Sequence, residues 1–272
     1  MTSGYTSTLE RPDGGVLTYD VVGDGPPLVL ISGLGGTSAF WKPFSAHLSD
    51  RFTVLSFDQP GIARSRRGKA ACTIAQFAND VLALMDHVFP GQTATVMGHS
   101  MGGAVAQTLA ATQPARIARL ILSGTWLETD AYMRAQFEFR RALLDRAPEL
   151  HAGFQRLLSR SPDRDGTGVG AGAWDGLIEP NHGMTAAAVA TYNERVAAIL
   201  DFSGKTLAPR LTMPCLVLGV RDDQVVPFHH QRDVHAAIPG STLSTLDYGG
   251  HFYPNARPDA TAGLVLEWLD SL

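Results

Sequence analysis

The stretch Thr95-Val96-Met97-Gly98-His99-Ser100-Met101-Gly102-Gly103-Ala104 decides how this chain is read. Thr95–Gly98 is a short run of strand type, and Gly102–Gln113 is a run of small residues able to pack as a helix closely against a sheet. Between them stands Gly-x-Ser-x-Gly with Ser100 at its centre. The bare pentapeptide recurs by chance in many proteins; a strand before it and a helix after it make it specific. A serine on so sharp a strand-to-helix turn is held in a strained conformation above the sheet edge, and the flanking glycines let the turn close without Cβ clashes. Ser100 also meets a helix N-terminus, where backbone N–H groups face developing negative charge. The pattern predicts a nucleophile.

Working outward, apolar runs of strand length occur at Val16–Val22, Leu28–Ser32, Phe52–Phe57 and Leu120–Ser123, and again at Cys215–Gly219 and Thr242–Leu246. Helical patterns separate them, at Thr73–Val88 and near Pro258–Leu272 among others. Continuous apolar strands alternating with helices predict an α/β fold: a mostly parallel sheet with helices on both faces. From Leu127 to Leu207 the strand rhythm stops and helical patterns remain, with helices expected at Asp130–Arg146 and Thr185–Ile199. The glycine-rich Asp163–Gly172 reads as a loop and as the most flexible part of the chain. The expected organisation is therefore one core domain, residues 1–126 and 208–272, interrupted by a helical cap or lid, residues 127–207.

A serine hydroxyl is a poor nucleophile until a base takes its proton. Among nine histidines, His251 in Tyr248-Gly249-Gly250-His251 is the candidate base. It follows the last predicted strand, at the carboxyl end where parallel sheets gather catalytic groups. The acid that holds its tautomer is Asp222 or Asp223, both after the apolar run Cys215–Gly219. Two backbone amides complete an oxyanion hole: Met101, which follows the nucleophile, and Leu34 in the loop Ser32-Gly33-Leu34-Gly35-Gly36.

These motifs, with Asp58-Gln59-Pro60-Gly61, Asp223-Gln224-Val225-Val226-Pro227 and Gly250-His251, resemble the α/β-hydrolase fold superfamily from about Val16 to Leu272. The resemblance implies a Ser-Asp-His triad in that chain order. It also breaks the tie between the two aspartates: Pro214, the acid and Pro227 keep the family spacing when the acid is Asp223, and Asp222 is then expected to be solvated or near the next helix N-terminus. Ala63 stands where many members carry a second glycine, a departure expected to be harmless. Within the superfamily the chain is similar to aminoacrylate hydrolases of pyrimidine breakdown and to related small amide, carbamate and enol-lactone hydrolases. The features are Leu30–Gly36 with Trp41 beyond, Trp126-Leu127, Asp201-Phe202-Ser203 and Tyr248–His251.

The implied activity is a catabolic serine hydrolase, free of cofactor and metal, that cleaves a small ester, lactone, amide or carbamate through an acyl-enzyme. A carbon–carbon bond hydrolase of ring-cleavage products is the alternative, though many of those carry tryptophan where this chain has Phe252. A ligand-binding receptor on the same fold is the alternative from another class. Trp126 and Phe252 are candidate walls of the substrate pocket.

Other signals are weaker. His229-His230 with Asp233 has metal-ligand character, but adjacent helical histidines point to different faces, so a solvated helix face is expected. Arg64, Arg66 and Arg67 read as a solvated loop. Arg134, Arg140, Arg141 and Arg146 lie among acids at helical spacing and read as surface ion pairs, one of which could instead bind a substrate carboxylate. The chain has 272 residues, net charge −4 and two cysteines. That excludes a disulfide framework and a basic footprint for nucleic acid or anionic membrane. With no signal-peptide pattern and no long apolar run, the expectation is a cytoplasmic protein, monomer or homodimer, whose partner is a small-molecule substrate.

Overall fold

Each central strand splits its side chains between two cores, as the period of two demands. Val29 and Ile31 face one side and Leu28 and Leu30 the other. The computed structural model describes residues 4–162, 177 and 183–272. Its sheet contains β1 (Gly4–Glu10), β2 (Val16–Val22), β3 (Pro27–Ile31), β4 (Thr53–Phe57), β5 (Ala94–His99), β6 (Ile117–Ser123), β7 (Cys215–Val220) and β8 (Thr242–Leu246). The spatial order is β1-β2-β4-β3-β5-β6-β7-β8. Only the pairings made by β2 are antiparallel; the other strands run parallel through β8. Among the described helices, α1 (Lys42–Ser45), α8 (Tyr253–Ala256) and α9 (Pro258–Asp270) bear on the face holding Trp41, Phe44 and Trp268. Helices α2 (Ile74–Val88) and α3 (Met101–Thr112) cover the opposite core, and α7 (His229–Ala237) packs beside β7 and β8.

The mostly parallel sheet is as expected. Strand β1 was not foreseen: in Gly-Tyr-Thr-Ser-Thr-Leu-Glu only Tyr5 and Leu9 are apolar, and it is held at the sheet edge by seven registered pairs with β2. Between β6 and β7 the described residues form only helices as named elements: α4 (Ala131–Arg146), α5 (Pro148–Ser159) and α6 (Ala186–Asp201). Side chains of Asp130 and Thr185 cap α4 and α6 by accepting from Met133 N and Ala188 N. Helix α5 was missed, although Pro148 at its first position and Glu149 in its first turn are ordinary start signals. All of Asp163–Gly172, with its expected loop, lies outside the described residues.

Arg195 of α6 ties the helical insertion to the core. Its guanidinium is fully buried and donates to the Gln59 side-chain oxygen and to Pro60 O at 2.7 Å, over the Phe77 ring. Arg67 reaches Glu194 of the same helix at 2.8 Å. Arg64 bridges Asp20 and the buried Asp58. The basic cluster is thus structural, and two of its three arginines are in ion pairs rather than free in solvent.

One expectation is corrected here. Ala63 has φ +46°, a left-handed conformation that costs a residue with Cβ about 1–2 kcal/mol. The glycine common at this position would relieve it, so the alanine is not harmless. Ala63→Gly is expected to raise unfolding stability by about 0.5–1 kcal/mol, after allowing for glycine's extra unfolded entropy. Urea denaturation checks this; an unchanged or lower midpoint would show that the turn is not strained.

Candidate active site

Strand β5 delivers Ser100 to its carboxyl end, and α3 begins at the next residue. Ser100 sits at φ +57°, ψ −123°, conformational strain that the surroundings enforce. Its amide donates to Ser123 O at 2.9 Å. A Cβ on Gly98 would run into the Gly102 carbonyl, and one on Gly102 into the Ile31 carbonyl. A Cβ on Gly33 would meet Ser100 Cβ at 2.9 Å. The glycines on either side of the turn are required by close backbone approach.

His251 follows β8 and is buried. Its Nε2 lies 2.9 Å from Ser100 Oγ and its Nδ1 2.7 Å from Asp223 Oδ2. Asp223 Oδ1 accepts from Val225 N and Val226 N, both at 2.8 Å, so the carboxylate is held at both oxygens. Hydroxyl, imidazole and carboxylate form one buried hydrogen-bonded line, an arrangement able to move the serine proton to the imidazole.

Asp222 is half-buried, and its carboxylate is engaged with backbone amides rather than left wholly to solvent. It accepts from Gly249 N at 3.2 Å and Gly250 N at 2.9 Å. Gly249 and Gly250 both have positive φ, and the carboxylate fixes the turn that presents His251. Adjacent aspartates thus divide the work: one faces the ring and the other grips the backbone that carries it. Such a role leaves no motif, because its partners are amides.

Leu34 lies in the loop after β3 and lines the same cavity as Ser100, and Met101 is the first residue of α3, where an amide has no intrahelical acceptor. Among the described residues neither amide takes part in a loop or turn backbone hydrogen bond. Gln59 secures this loop: its side-chain amide donates to Ser32 O while its oxygen accepts from Arg195. The buried insertion arginine and the glycine loop are therefore linked through one side chain.

A cavity of about 220 Å³ opens over Ser100. Its walls come from the glycine loop, Phe40, His99, Val225, His251 and Phe252, and from the insertion through Phe137 and Arg140 of α4 and Gln155 and Ser159 of α5. Phe252 lines this cavity. Trp126 does not: it is fully buried in the core against Phe202, because its backbone oxygen is held by Gln107 and its ring points into the sheet-facing cluster.

His99 lies closer to the chemistry than its variable motif position implied. Its ring centroid is 4.8 Å from that of His251, and its Nδ1 is 3.0 Å from Ser123 Oγ, which meets Tyr253 OH at 2.6 Å. Burial, and then the nearby His251, push its pKa well below the ordinary histidine value, so it stays neutral. Arg140 also departs from its expected surface ion pair. It is 4% exposed, its Nε has no partner, and Nη2 donates to the neutral Gln136 at 2.9 Å. Among the described residues no carboxylate pairs with it. Burial pushes its pKa down, and its charge contributes with burial to lowering His151 to about 4.

His229 and His230 do not form a solvated face either. Both Nε2 atoms converge on Asp130 Oδ2, at 2.9 and 3.4 Å, while Asp233 is exposed and outside the group. The two residues stand at the start of α7, where the side chains swing to one side with ring centroids 4.2 Å apart.

The α/β-hydrolase fold model matches residues 26–164. The chain belongs to the α/β-hydrolase fold family. A curated relative from Variovorax paradoxus, named "Putative carbamate hydrolase RutD", is 32% identical over 86% of this chain and 89% of its own. One of the same name from Azorhizobium caulinodans is 28% identical over 92% and 93%. Among solved structures, a hydrolase from Pseudomonas aeruginosa PA01 superposes with TM-score 0.80 at 28% identity over 97% of this chain and 98% of its own. The enol-lactonase from Burkholderia xenovorans LB400 gives 0.81 at 25%, over 97% and 100%. No helix among the described residues is long and apolar enough to cross a membrane.

Two expectations follow from the site. Asp223→Asn should preserve the fold and cut kcat by ~10⁴, as loss of the orienting acid does in serine proteases. Asp222→Ala should cut kcat by about tenfold with little change in KM, because His251 is left on a looser turn. Steady-state kinetics at neutral pH decide it, and the reverse ranking would exchange the roles. Acid should also unfold the protein. Unfolded histidines take protons below about pH 6.5, whereas buried His99 and His151 resist protonation, His151 down to about 4. The unfolded state then binds more protons across this window, and stability falls as pH falls. Urea midpoints measured from pH 7 to pH 4.5 should decline, and less steeply in His151→Gln; a flat profile would contradict it.

Proposed function

We propose that this chain is a serine hydrolase that cleaves a small carbonyl compound, an ester, lactone, amide or carbamate, through an acyl-enzyme. The observation that carries the reading is the Ser100–His251–Asp223 hydrogen-bonded line at the floor of a cavity. His251 takes the Ser100 proton as Oγ adds to the substrate carbonyl, and Asp223 stabilises the imidazolium. The Leu34 and Met101 amides receive the oxyanion, each worth roughly 2.7–4 kcal/mol in comparable sites. His251 then returns the proton to the leaving group, and water activated by the same ring releases the acid. The helical insertion, residues 127–207, acts as a cap that excludes water and shapes the pocket.

The cavity of about 220 Å³ suits a small substrate. Arg140 adds a second constraint. A buried guanidinium with no salt-bridge partner among the described residues is costly, and it lines the cavity that holds Ser100. A substrate with a carboxylate or similar anionic group supplies that charge. Carbamate and enol-lactone hydrolysis, the activities in the names of the relatives and of one neighbour, fall within this chemistry.

Matched chromogenic esters with and without a terminal carboxylate test both parts. Wild type should turn over both and prefer the anionic one. Ser100→Ala should lower kcat by several orders of magnitude on both. Arg140→Gln should raise KM for the anionic ester by at least about tenfold, the scale of a lost charged hydrogen bond, and leave the neutral ester nearly unchanged. Activity that survives in Ser100→Ala would refute the serine mechanism. An unaltered preference in Arg140→Gln would remove the arginine from substrate recognition.

A further inference from the structure

Away from the Ser100 cavity, three ligand-type side chains from distant parts of the chain meet at the junction between the helical insertion and the core. Asp130 is the cap residue of α4. Its Oδ1 accepts from Met133 N at 2.8 Å, which fixes the carboxylate and turns Oδ2 outward. Both histidines at the start of α7 point Nε2 at that one oxygen, His229 at 2.9 Å and His230 at 3.4 Å. The three ligand atoms lie within 4.8 Å of one another. None of the three residues lines the Ser100 cavity.

His229 alone accounts for a hydrogen bond to Asp130. His230 is not accounted for. Its side chain is 4% exposed, and Nε2 is buried without a hydrogen-bond partner although it is aimed at Asp130 Oδ2. A buried ring nitrogen left unpaired costs free energy, and at 3.4 Å His230 Nε2 makes no hydrogen bond to the oxygen that His229 already holds. A cation between the three atoms satisfies all of them.

We propose that Asp130, His229 and His230 form a binding site for a divalent transition-metal ion of the zinc class. Two imidazoles and one carboxylate are the donors such ions take, whereas calcium and magnesium require oxygen ligands. Tetrahedral bonds of about 2.0–2.1 Å place ligand atoms roughly 3.3–3.4 Å apart, and the separations from Asp130 bracket that value. Partial exposure of His229 and Asp130 leaves a path for the ion and room for water in the remaining position.

The ion would act at the insertion boundary rather than in bond cleavage. Helix α4 already grips the segment after Asp223: Tyr132 OH donates to Gln224 O at 2.6 Å, and Gln136 Nε2 to Val225 O at 2.5 Å. The metal would add a further tether from the same helix, this one to the start of α7, holding in register the helix that carries Arg140.

Equilibrium dialysis of the full chain against buffered Zn²⁺ tests the site. One equivalent should bind, accompanied by a rise in Tm. Asp130→Asn keeps the helix cap, since asparagine caps as well as aspartate, but removes the anionic ligand. This variant and His229→Ala should each weaken binding by at least about tenfold, on the scale by which metal sites respond to perturbed ligation, and abolish the Tm rise. No saturable binding in wild type would overturn the proposal, as would wild-type affinity in either variant.

Discussion

The strained backbone at Ser100 is the constraint on which the rest of the molecule depends. At φ +57° the residue projects its hydroxyl above the sheet, and only bare backbone at Gly33, Gly98 and Gly102 lets β3, β5 and α3 approach closely enough to hold it there. The same turn sets the first helical amide of α3 beside the hydroxyl and brings the loop after β3 against it. Parallel strand order then carries Asp223 and His251 to the same edge from β7 and β8. Strain at one residue is stored by the sheet as a whole, which buries strong apolar surface on both faces.

The helical insertion is joined to this frame by buried polar contacts rather than by apolar packing alone. Arg195 reaches Gln59, and Gln59 reaches the Ser32 carbonyl, so the position of α6 is felt at the glycine loop. Tyr132 and Gln136 of α4 hold the segment after Asp223. Each tether ends on a part of the hydrogen-bonded site. The insertion and the site geometry are linked through these contacts, and Arg140, buried with no salt-bridge partner among the described residues, lines the cavity from the insertion side.

Much of the architecture was legible because its signals are local. Strands β2 and β8 fall where their apolar runs lie, and Thr73, Asp130 and Thr185 mark helix starts by capping chemistry. Strand β1 was illegible because its seven residues carry only two apolar side chains, Tyr5 and Leu9, too few for a strand pattern, and pair along their length with β2. In the site, Ser100 and His251 stand in glycine-marked turns that can be read directly. Asp222 could not be read, because it binds amides. Arg140 could not be singled out among mixed charges on one helix, since its burial depends on α5 and α6 packing beside it. The Asp130–His229 contact spans 99 positions, and no local pattern announces it. Trp126 misled because proximity in sequence to a catalytic strand end does not say which way a ring turns.

The most direct measurement is peptide mapping of the protein after acid quench during turnover of a slowly deacylated carbamate or ester. The account predicts one acyl adduct per chain, on the peptide bearing Ser100, accumulating in wild type and in a deacylation-impaired His251 variant supplied with an activated substrate. An adduct on another residue, or turnover with no adduct under conditions where deacylation is rate-limiting, would contradict it.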